Sequence, residues 1–196
     1  KVRQKYEQED IVREFYLSIK EPVIIGGDKE TFFDYTEEYD EETDEYGEPE
    51  GKGFELIGAI ENYLYDIGAD DYVQTIVGTL QQEMMDNGGL TASQVEDTIR
   101  GIEEINYLID YESGAGELLS SAFGAIGFDG IIDHRAGTKF RNMNMDPDTT
   151  HYIVFNSEQA KSVDNKGEWG VRNRNFYLQD SANNPKGAYY KNTIYL

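Results

Sequence analysis

Two histidines supply the acid–base chemistry that this sequence offers near neutral pH, because imidazole gains and loses its proton in that range. They are His134 and His151, and both stand in a stretch rich in Lys and Arg. Histidine, glutamate and cations together suit metal-independent cleavage of RNA, in which the first two move protons and the cations stabilise phosphate charge. The residues between 134 and 174 that could contribute are His134, Arg135, Lys139, Arg141, His151, Glu158, Lys161, Lys166, Arg172 and Arg174. The same stretch holds five acids, so an ordinary charged surface is the alternative to a ribonuclease-like site.

Other catalytic motifs are missing from the sequence. There is no cysteine, which excludes disulfides, thiolate ligands and a cysteine nucleophile. The sequence also lacks a glycine-rich phosphate loop, a His-Glu-x-x-His zinc motif and a Gly-x-Ser-x-Gly nucleophile motif. Asp129, Asp133, His134 and His151 would form a metal site only if their strands were adjacent, and their spacing is not diagnostic of one. We therefore predict no metal.

The charge of the chain limits its binding partners. A formal charge of −22 argues against a surface that binds nucleic acid or an anionic membrane over its whole extent. This charge is unevenly distributed, since residues 1–133 hold 8 basic and 33 acidic residues whereas residues 134–196 hold 9 and 6. The second part is mildly basic, so it could accept an anionic dinucleotide or nucleic-acid ligand.

Residues 34–50 hold ten acids and neither Lys nor Arg. A run of like charges repels itself and buries little, so we expect a mobile, solvated surface loop. A calcium loop would need acids at alternate positions, then a glycine, then a glutamate at the twelfth position, and the placement of Gly47 does not fit that pattern. A further hypothesis is a non-enzymatic, acidic interaction module that binds a basic partner through this run.

Strand patterns stand near both ends of the chain. The first predicted strand is rich in β-branched and aromatic side chains, and Pro22 separates it from a shorter apolar run. The segments predicted to be strands are 11–20, 23–25, 128–132, 151–155 and 160–163, followed by a hairpin within 176–196.

Between these strands, residues 54–126 change to a helical period. Apolar side chains recur at every third or fourth position and predict four helices, of which the third begins at Thr91 or Ser93. Strands before and after a helical section indicate the α+β class, with the helices as an inserted layer. No run approaches the roughly 20 apolar residues that cross a bilayer, so we predict no membrane partner. The first residues show neither a signal peptide nor an initiator Met, so we expect part of a larger polypeptide.

The most specific pattern of the chain lies in residues 127–169. It consists of Gly-Phe-Asp-Gly-Ile-Ile at 127–132, His-Tyr-Ile-Val-Phe at 151–155, Glu-Gln-Ala-Lys-Ser at 158–162 and Asn-Lys-Gly-Glu-Trp at 165–169. This pattern resembles the C-terminal half of the ADP-ribosyltransferase-like domains in polyvalent proteins of phages and mobile elements. Phe-Tyr-Leu-Ser-Ile-Lys-Glu-Pro at 15–22 resembles the strand and bend that precede that family's helical section. The matches follow the family's order along the chain.

The resemblance implies a split β-sheet that handles NAD as a substrate and transfers ADP-ribose to a protein or nucleic-acid acceptor in the host. It implies one domain over residues 1–175, which includes the acidic loop 34–50 and the helical section 54–126. Residues 176–196 would then form a hairpin or a linker towards a following domain. A domain of this family, active or degenerate, would be found in the bacterial cytoplasm or in a phage particle.

The resemblance also assigns candidate site residues. The polymerase-like branch of these enzymes has a Glu directly before a Tyr-Ile-Val-Tyr strand, and this chain has His151 at the matching position. We therefore expect His151 and Glu158 in the active cleft, Gln159 and Lys161 towards the acceptor, and Asp129 as a supporting residue. The family's early strand, with its His-Gly-Thr type of motif, should precede the first predicted strand, and nothing there resembles it. The residues that bind NAD are therefore not assigned.

Overall fold

The computed structural model describes residues 12–42, 44–102, 105, 114–139, 146–162 and 189–195. The strands are β1 (Val12–Ser18), β2 (Pro22–Ile25), β3 (Phe32–Asp34), β4 (Tyr39–Asp40), β5 (Glu45–Tyr46), β6 (Gly89–Thr91), β7 (Gly130–Asp133), β8 (His151–Val154), β9 (Ala160–Ser162) and β10 (Tyr189–Tyr195). The helices are α1 (Lys52–Asp66), α2 (Asp70–Asn87), α3 (Ala92–Gly101), α4 (Gly114–Ala125) and α5 (Ala136–Lys139). The predicted α+β class is confirmed.

The chain divides into two compact units, of which the first combines residues 1–20 with residues 156–196. Its described strands form a three-stranded antiparallel sheet in the order β10-β1-β9. β10 pairs with all seven residues of β1, whereas β9 pairs with Phe15–Leu17 only. The prediction of a strand at 11–20 is thus confirmed for the residues described. The boundary predicted at residue 175 and the first arm of the predicted hairpin lie outside the described residues.

The second unit, residues 21–155, contains a mixed sheet in the order β2-β7-β8. β7 pairs in parallel with β2 and antiparallel with β8. A parallel pair needs a long connection, and the helices α1 to α4 lie in the connection between β2 and β7. The strands predicted at 23–25, 128–132 and 151–155 are therefore present, with bounds that differ by one or two residues.

The helices bury apolar stripes at the spacing that the sequence predicts. Leu56, Ile60 and Leu64 of α1 are fully buried, and Ile76, Leu80 and Met84 of α2 repeat the pattern. Thr91 caps α3, because its hydroxyl oxygen accepts a hydrogen bond from the backbone of Gln94, whose side chain in turn accepts one from the Thr91 backbone. In the part of the chain that the structure describes, every helix is too short or too polar to cross a bilayer.

A short strand that the periodicity does not predict interrupts the helical section. α2 ends at Gly88, whose φ of 66° is left-handed, and Gly89 continues at a φ of 128° into β6. A β-carbon on Gly89 would collide with the carbonyl oxygen of Phe33. The absence of a side chain therefore lets β6 pair with β3, which sets the buried side chains of Phe33 and Leu90 opposite each other.

The acidic run 34–50, predicted as a loop, contains short stretches of backbone pairing. Tyr39–Asp40 and Glu45–Tyr46 pair as a small antiparallel ladder, and a single bridge joins Thr36 to Glu50. Its described charged side chains are almost all exposed, as expected of a self-repelling run. Short backbone pairing therefore gives this segment a shape without burying its charge.

An aromatic group stands at the centre of the second unit. Phe33 and Phe123 are fully buried and stack with their ring centres 5.4 Å apart and their planes at 3°. Phe128 meets both rings edge-on, at 6.0 and 6.3 Å. These contacts join β3, α4 and the segment before β7, so they fix the position from which β7 starts.

Candidate functional site

The pairing of β7 with β8 brings Asp133 and His151 together. The antiparallel register sets these two residues opposite each other, at the end of one strand and the start of the other. β7 is the central strand of its sheet and all four of its residues are buried. A central strand is covered on both faces, which explains why the residues of β7 before Asp133 are apolar.

His151 lines a cleft of about 470 Å³ within residues 21–155. The lining includes the apolar residues Ile25, Leu119, Ile131 and Ile153 and the polar residues Glu96, Arg100, Glu117, Ser120, Asp133, Lys139 and His151. Apolar walls with converging polar groups are the usual form of a small-molecule site. We therefore take this cleft as the candidate functional site.

Two carboxylates at the cleft are buried and share one ammonium group. Glu96 and Asp133 are 4% and 5% exposed. Lys139 Nζ lies 2.7 Å from Asp133 Oδ2 and also donates a hydrogen bond to Glu96 Oε2. Glu96 Oε1 accepts a hydrogen bond from Arg100 Nε at 2.9 Å, and Asp133 Oδ1 accepts one from the backbone N–H of Arg135 at 2.7 Å. All four oxygens thus have a donor, which is the condition under which buried charge is tolerated.

A tight turn after β7 carries Lys139 back to Asp133. The turn begins where the Asp133 carboxylate accepts a hydrogen bond from the Arg135 backbone N–H. The backbone N–H of Lys139 then donates to the Arg135 carbonyl at 3.0 Å. Gly137 lies inside this turn, where a β-carbon would collide with the carbonyl oxygens of Asp146 and Pro147. The glycine therefore allows the segment before β8 to close against α5.

Glu96 was not a candidate in the sequence analysis, although the sequence contains a signal for it. The buried positions of α3 are Ala92, Val95, Glu96 and Ile99, so the acid stands on the apolar face of the helix. Arg100, four residues further on, is its helical partner. An acid in a stripe of this kind needs a cation from another element, and the sequence does not say which one.

The two histidines have different surroundings. His151 lines the cleft, whereas His134 is exposed, and its Nδ1 lies 3.2 Å from the Thr150 hydroxyl. Next to His134, Arg135 binds both carboxylate oxygens of Asp97 at 2.7 and 2.9 Å. This hydrogen-bonded pairing raises the pKa of Arg135, although partial burial acts in the opposite direction. Of the two histidines that the ribonuclease-like hypothesis considers, His151 is therefore the one that lines the cleft among the described residues.

Asp129 lies at the opposite end of β7 from His151. Its carboxylate accepts a hydrogen bond from the Glu21 backbone at 2.9 Å, and its own N–H donates to the Glu21 carbonyl at 3.0 Å. Asp133 lies four positions further along the chain, which corresponds to about 13 Å of strand. The structure therefore places Asp129 at the start of the β2–β7 pairing and does not bring it to His151.

The remaining predicted site residues belong to the other compact unit. Glu158 and Gln159 lie in a short 3₁₀ helix (Ser157–Gln159), which Asn156 caps by accepting a hydrogen bond from the Glu158 backbone at 2.9 Å. The Gln159 side chain accepts from the Asn156 backbone at 2.8 Å and donates to the Ser18 carbonyl at 3.0 Å. Lys161 is in β9, opposite Tyr16 of β1. Gln159 therefore has a local structural role in addition to the role towards an acceptor that we predict.

Among the described residues, no three His, Asp or Glu side chains are arranged to hold a metal ion. Asp133 and His151 share the cleft, but Lys139 already occupies one oxygen of the Asp133 carboxylate. Comparisons with protein-family models, with curated proteins and with solved structures find no match to this chain.

Proposed function

We propose that this chain is an ADP-ribosyltransferase-like domain that transfers ADP-ribose from NAD to a protein or nucleic-acid acceptor, with His151 in its reactive cleft. The observation that carries the proposal is the position of His151, which occupies the family's Glu position at the start of β8 and lines a cleft. The split β-sheet and the acceptor are parts of the same proposal.

The arrangement of the matched segments supports this assignment. Gly-Phe-Asp-Gly-Ile-Ile leads into β7, and His-Tyr-Ile-Val-Phe contains β8, its neighbour in the sheet. Ala-Lys-Ser forms β9, which pairs with β1 of the Phe-Tyr-Leu-Ser motif. Segments that resemble one family thus pair with each other, as the proposal requires.

The chemistry requires few groups from the protein. Transfer breaks the bond between the ribose C1′ and the nicotinamide nitrogen, forms a bond from C1′ to an acceptor atom, and releases neutral nicotinamide and the acceptor's proton. A neutral imidazole at His151 can accept that proton. Ile25, Ile131 and Ile153 offer apolar walls for a planar ring, and Glu117 contributes negative charge at the same cleft. A negative charge there would stabilise the positive charge that develops on the ribose during transfer.

Turnover of NAD tests the proposal. The chain should release nicotinamide from NAD or label an acceptor with ADP-ribose, and His151→Ala should lower the rate by about 100-fold, as expected for the loss of an acid–base group. His134→Ala is the matched control and should leave the rate within about twofold. Glu158→Ala tests the second predicted catalytic residue, and an unchanged rate of nicotinamide release would count against its role in the reaction.

Each alternative function predicts a different result, in an assay of its own. Metal-independent cleavage of RNA that depends on His151, without turnover of NAD, would favour the ribonuclease-like function. Binding of a basic partner that weakens steeply with salt and disappears on deletion of 34–50 would favour the acidic interaction module. Labelling that both His151→Ala and Glu158→Ala leave unchanged would refute the site assignment.

A further inference from the structure

We propose that Lys139 is a positioning residue of the His151 cleft, because its ammonium group holds Glu96 and Asp133 together as ionised side chains and sets the charge that surrounds His151. This inference deepens the proposed function. It rests on that function for the identity of the reaction in the cleft, but not for the role of Lys139 in the charge of the cleft. The charge and geometry of the cleft can be tested without any substrate.

Lys139 connects two elements of the fold through its ion pairs. Lys139 is the residue, within the described ranges, that contacts both buried carboxylates. Glu96 lies 43 residues before Lys139 in the chain, whereas Asp133 lies six before it. One ammonium group therefore ties α3 to the end of β7, and the end of β7 pairs with His151.

Lys139 is also largely shielded from solvent. The Lys139 side chain is only 18% exposed, whereas the Lys52 side chain, which pairs with Glu55 on the surface of α1, is 50% exposed. A partly buried cation between two buried carboxylates cannot be replaced by water without leaving uncompensated charge. The same lysine–carboxylate pairing on the surface has little effect on structure, because solvent screens it. Lys52 is therefore a matched control for Lys139.

The charge around His151 also depends on Lys139. Among the residues that the structure describes, the charged side chains that line the cleft are Glu96 and Arg100 from α3, Glu117 from α4, Asp133 from β7 and Lys139 from α5. Their formal charges sum to −1, and the sum becomes −2 when Lys139 is removed. A more negative surrounding favours the protonated imidazole, so the loss of Lys139 should make His151 hold its proton to higher pH.

The experiment follows the imidazole resonances of the full chain by NMR as the pH is changed, with His134→Gln to assign the two histidines. In Lys139→Met, the titration midpoint of His151 should rise by at least about 0.5 pH unit, a roughly threefold change in protonation. Lys139→Arg keeps a cation that can bind two carboxylates, and Lys52→Met removes a surface cation. Both should leave the midpoint within about 0.2 unit.

A second measurement separates charge from simple misfolding. Lys139→Met combined with Glu96→Gln restores the formal charge of −1, so its His151 midpoint should return towards that of the wild type. An unshifted midpoint in Lys139→Met, or a midpoint that stays shifted in Lys139→Arg or in the double variant, would overturn the proposal. Failure of NAD turnover in the wild-type chain would refute the proposed function and leave this result unaffected.

Discussion

Two regions of this chain carry many acids and treat them in opposite ways. The run 34–50 holds ten acids with neither Lys nor Arg, and its described charges lie almost entirely at the surface. Among its described residues the cleft has three acids, and two of them, Glu96 and Asp133, are buried with a donor on every carboxylate oxygen. Water compensates the first set of charges, and Lys139, Arg100 and the backbone compensate the second.

The difference shows how little the net charge of −22 says about the site. Exposed acids dominate that number, but solvent and salt screen them. The described residues that line the cleft contribute a formal charge of only −1, yet these charges act on one another at short range and in partial isolation from water. A ligand in the cleft would therefore interact much more strongly with the charged residues that line the cleft than with the exposed acids that dominate the total charge.

The same substitution made in both regions gives the largest expected contrast. Glu96→Gln removes a buried charge that holds Arg100 and Lys139, and we expect it to lower the free energy of unfolding by about 2–4 kcal/mol. Glu41→Gln, at an exposed position of the acidic run, should change it by less than about 0.5 kcal/mol. Urea unfolding of the two variants at pH 7 measures both values. Equal effects would mean that burial does not distinguish the two regions.

The turn that positions Lys139 can be disturbed without changing any charge. Gly137→Ala adds a methyl group that would collide with the backbone at Asp146 and Pro147, and we expect a loss of about 2 kcal/mol. Gly58→Ala, in α1 with open space around it, should instead add about 0.5 kcal/mol, because alanine favours the helix. Thermal unfolding checks the sign of each effect. Stabilisation by Gly137→Ala would show that this turn is not tightly packed.

Glu30 is an intermediate case between the two regions, because it is partly buried at the first turn of α3. Burial alone would raise the pKa of Glu30, but hydrogen bonds from Ser93, together with those from Gly26 and Thr91, lower it overall. The Ser93 backbone donates to its carboxylate at 2.6 Å. A lowered pKa means that the stabilisation is present above the pKa of the unfolded chain and is lost as the pH falls through that of the folded protein.

We therefore expect Glu30→Gln to cost about 1 kcal/mol at pH 7 and almost nothing in acid, once the wild-type carboxylate is protonated. Urea unfolding at a series of pH values measures the difference between the two proteins. A difference that stays constant or grows as the pH falls would contradict this sign.

The smallest effect on stability should come from the acidic run itself. Replacing Glu37, Glu38, Glu41 and Glu42 together by Gln should change the free energy of unfolding by less than about 1 kcal/mol, since exposed charges contribute little. The sign should be stabilising at low salt and should fade as salt is added, because the substitutions relieve repulsion that salt also screens. Unfolding at two ionic strengths tests this, and a large loss of stability would show that the run packs against its unit through these side chains.

The main elements of the fold could be predicted from the sequence because their signals are local. The apolar stripes of α1 and α2, Thr91 as the cap of α3 and the break between β1 and Pro22, the first residue of β2, each depend on neighbouring residues. β3 and β6 could not be predicted in this way, because each has three residues and forms through pairing with a distant partner. Their burial of Phe33 against Leu90 is a tertiary effect that no window of sequence contains.

The candidate site was predictable to a smaller extent. The resemblance pointed to His151, and the structure places it in a cleft. Glu96 and Lys139 meet across 43 residues, so their partnership could not be predicted from spacing. Asp129 was expected to support the cleft, but it lies at the other end of β7, where its carboxylate bonds to the Glu21 backbone. A motif match predicts where a residue lies along a strand. Whether that residue can act in the site depends on which end of the strand is close to the site.

The most direct test of the central claim is a titration of the chain with NAD, followed at the imidazole resonances of His151 and His134. If NAD reacts in this cleft, it should shift or broaden the His151 resonance in a saturable manner and leave His134 unchanged, because only His151 of the two lines the cleft in the part of the chain described. Binding of NAD that leaves His151 unchanged, or perturbs both histidines equally, would contradict the claim that this cleft is where the dinucleotide reacts.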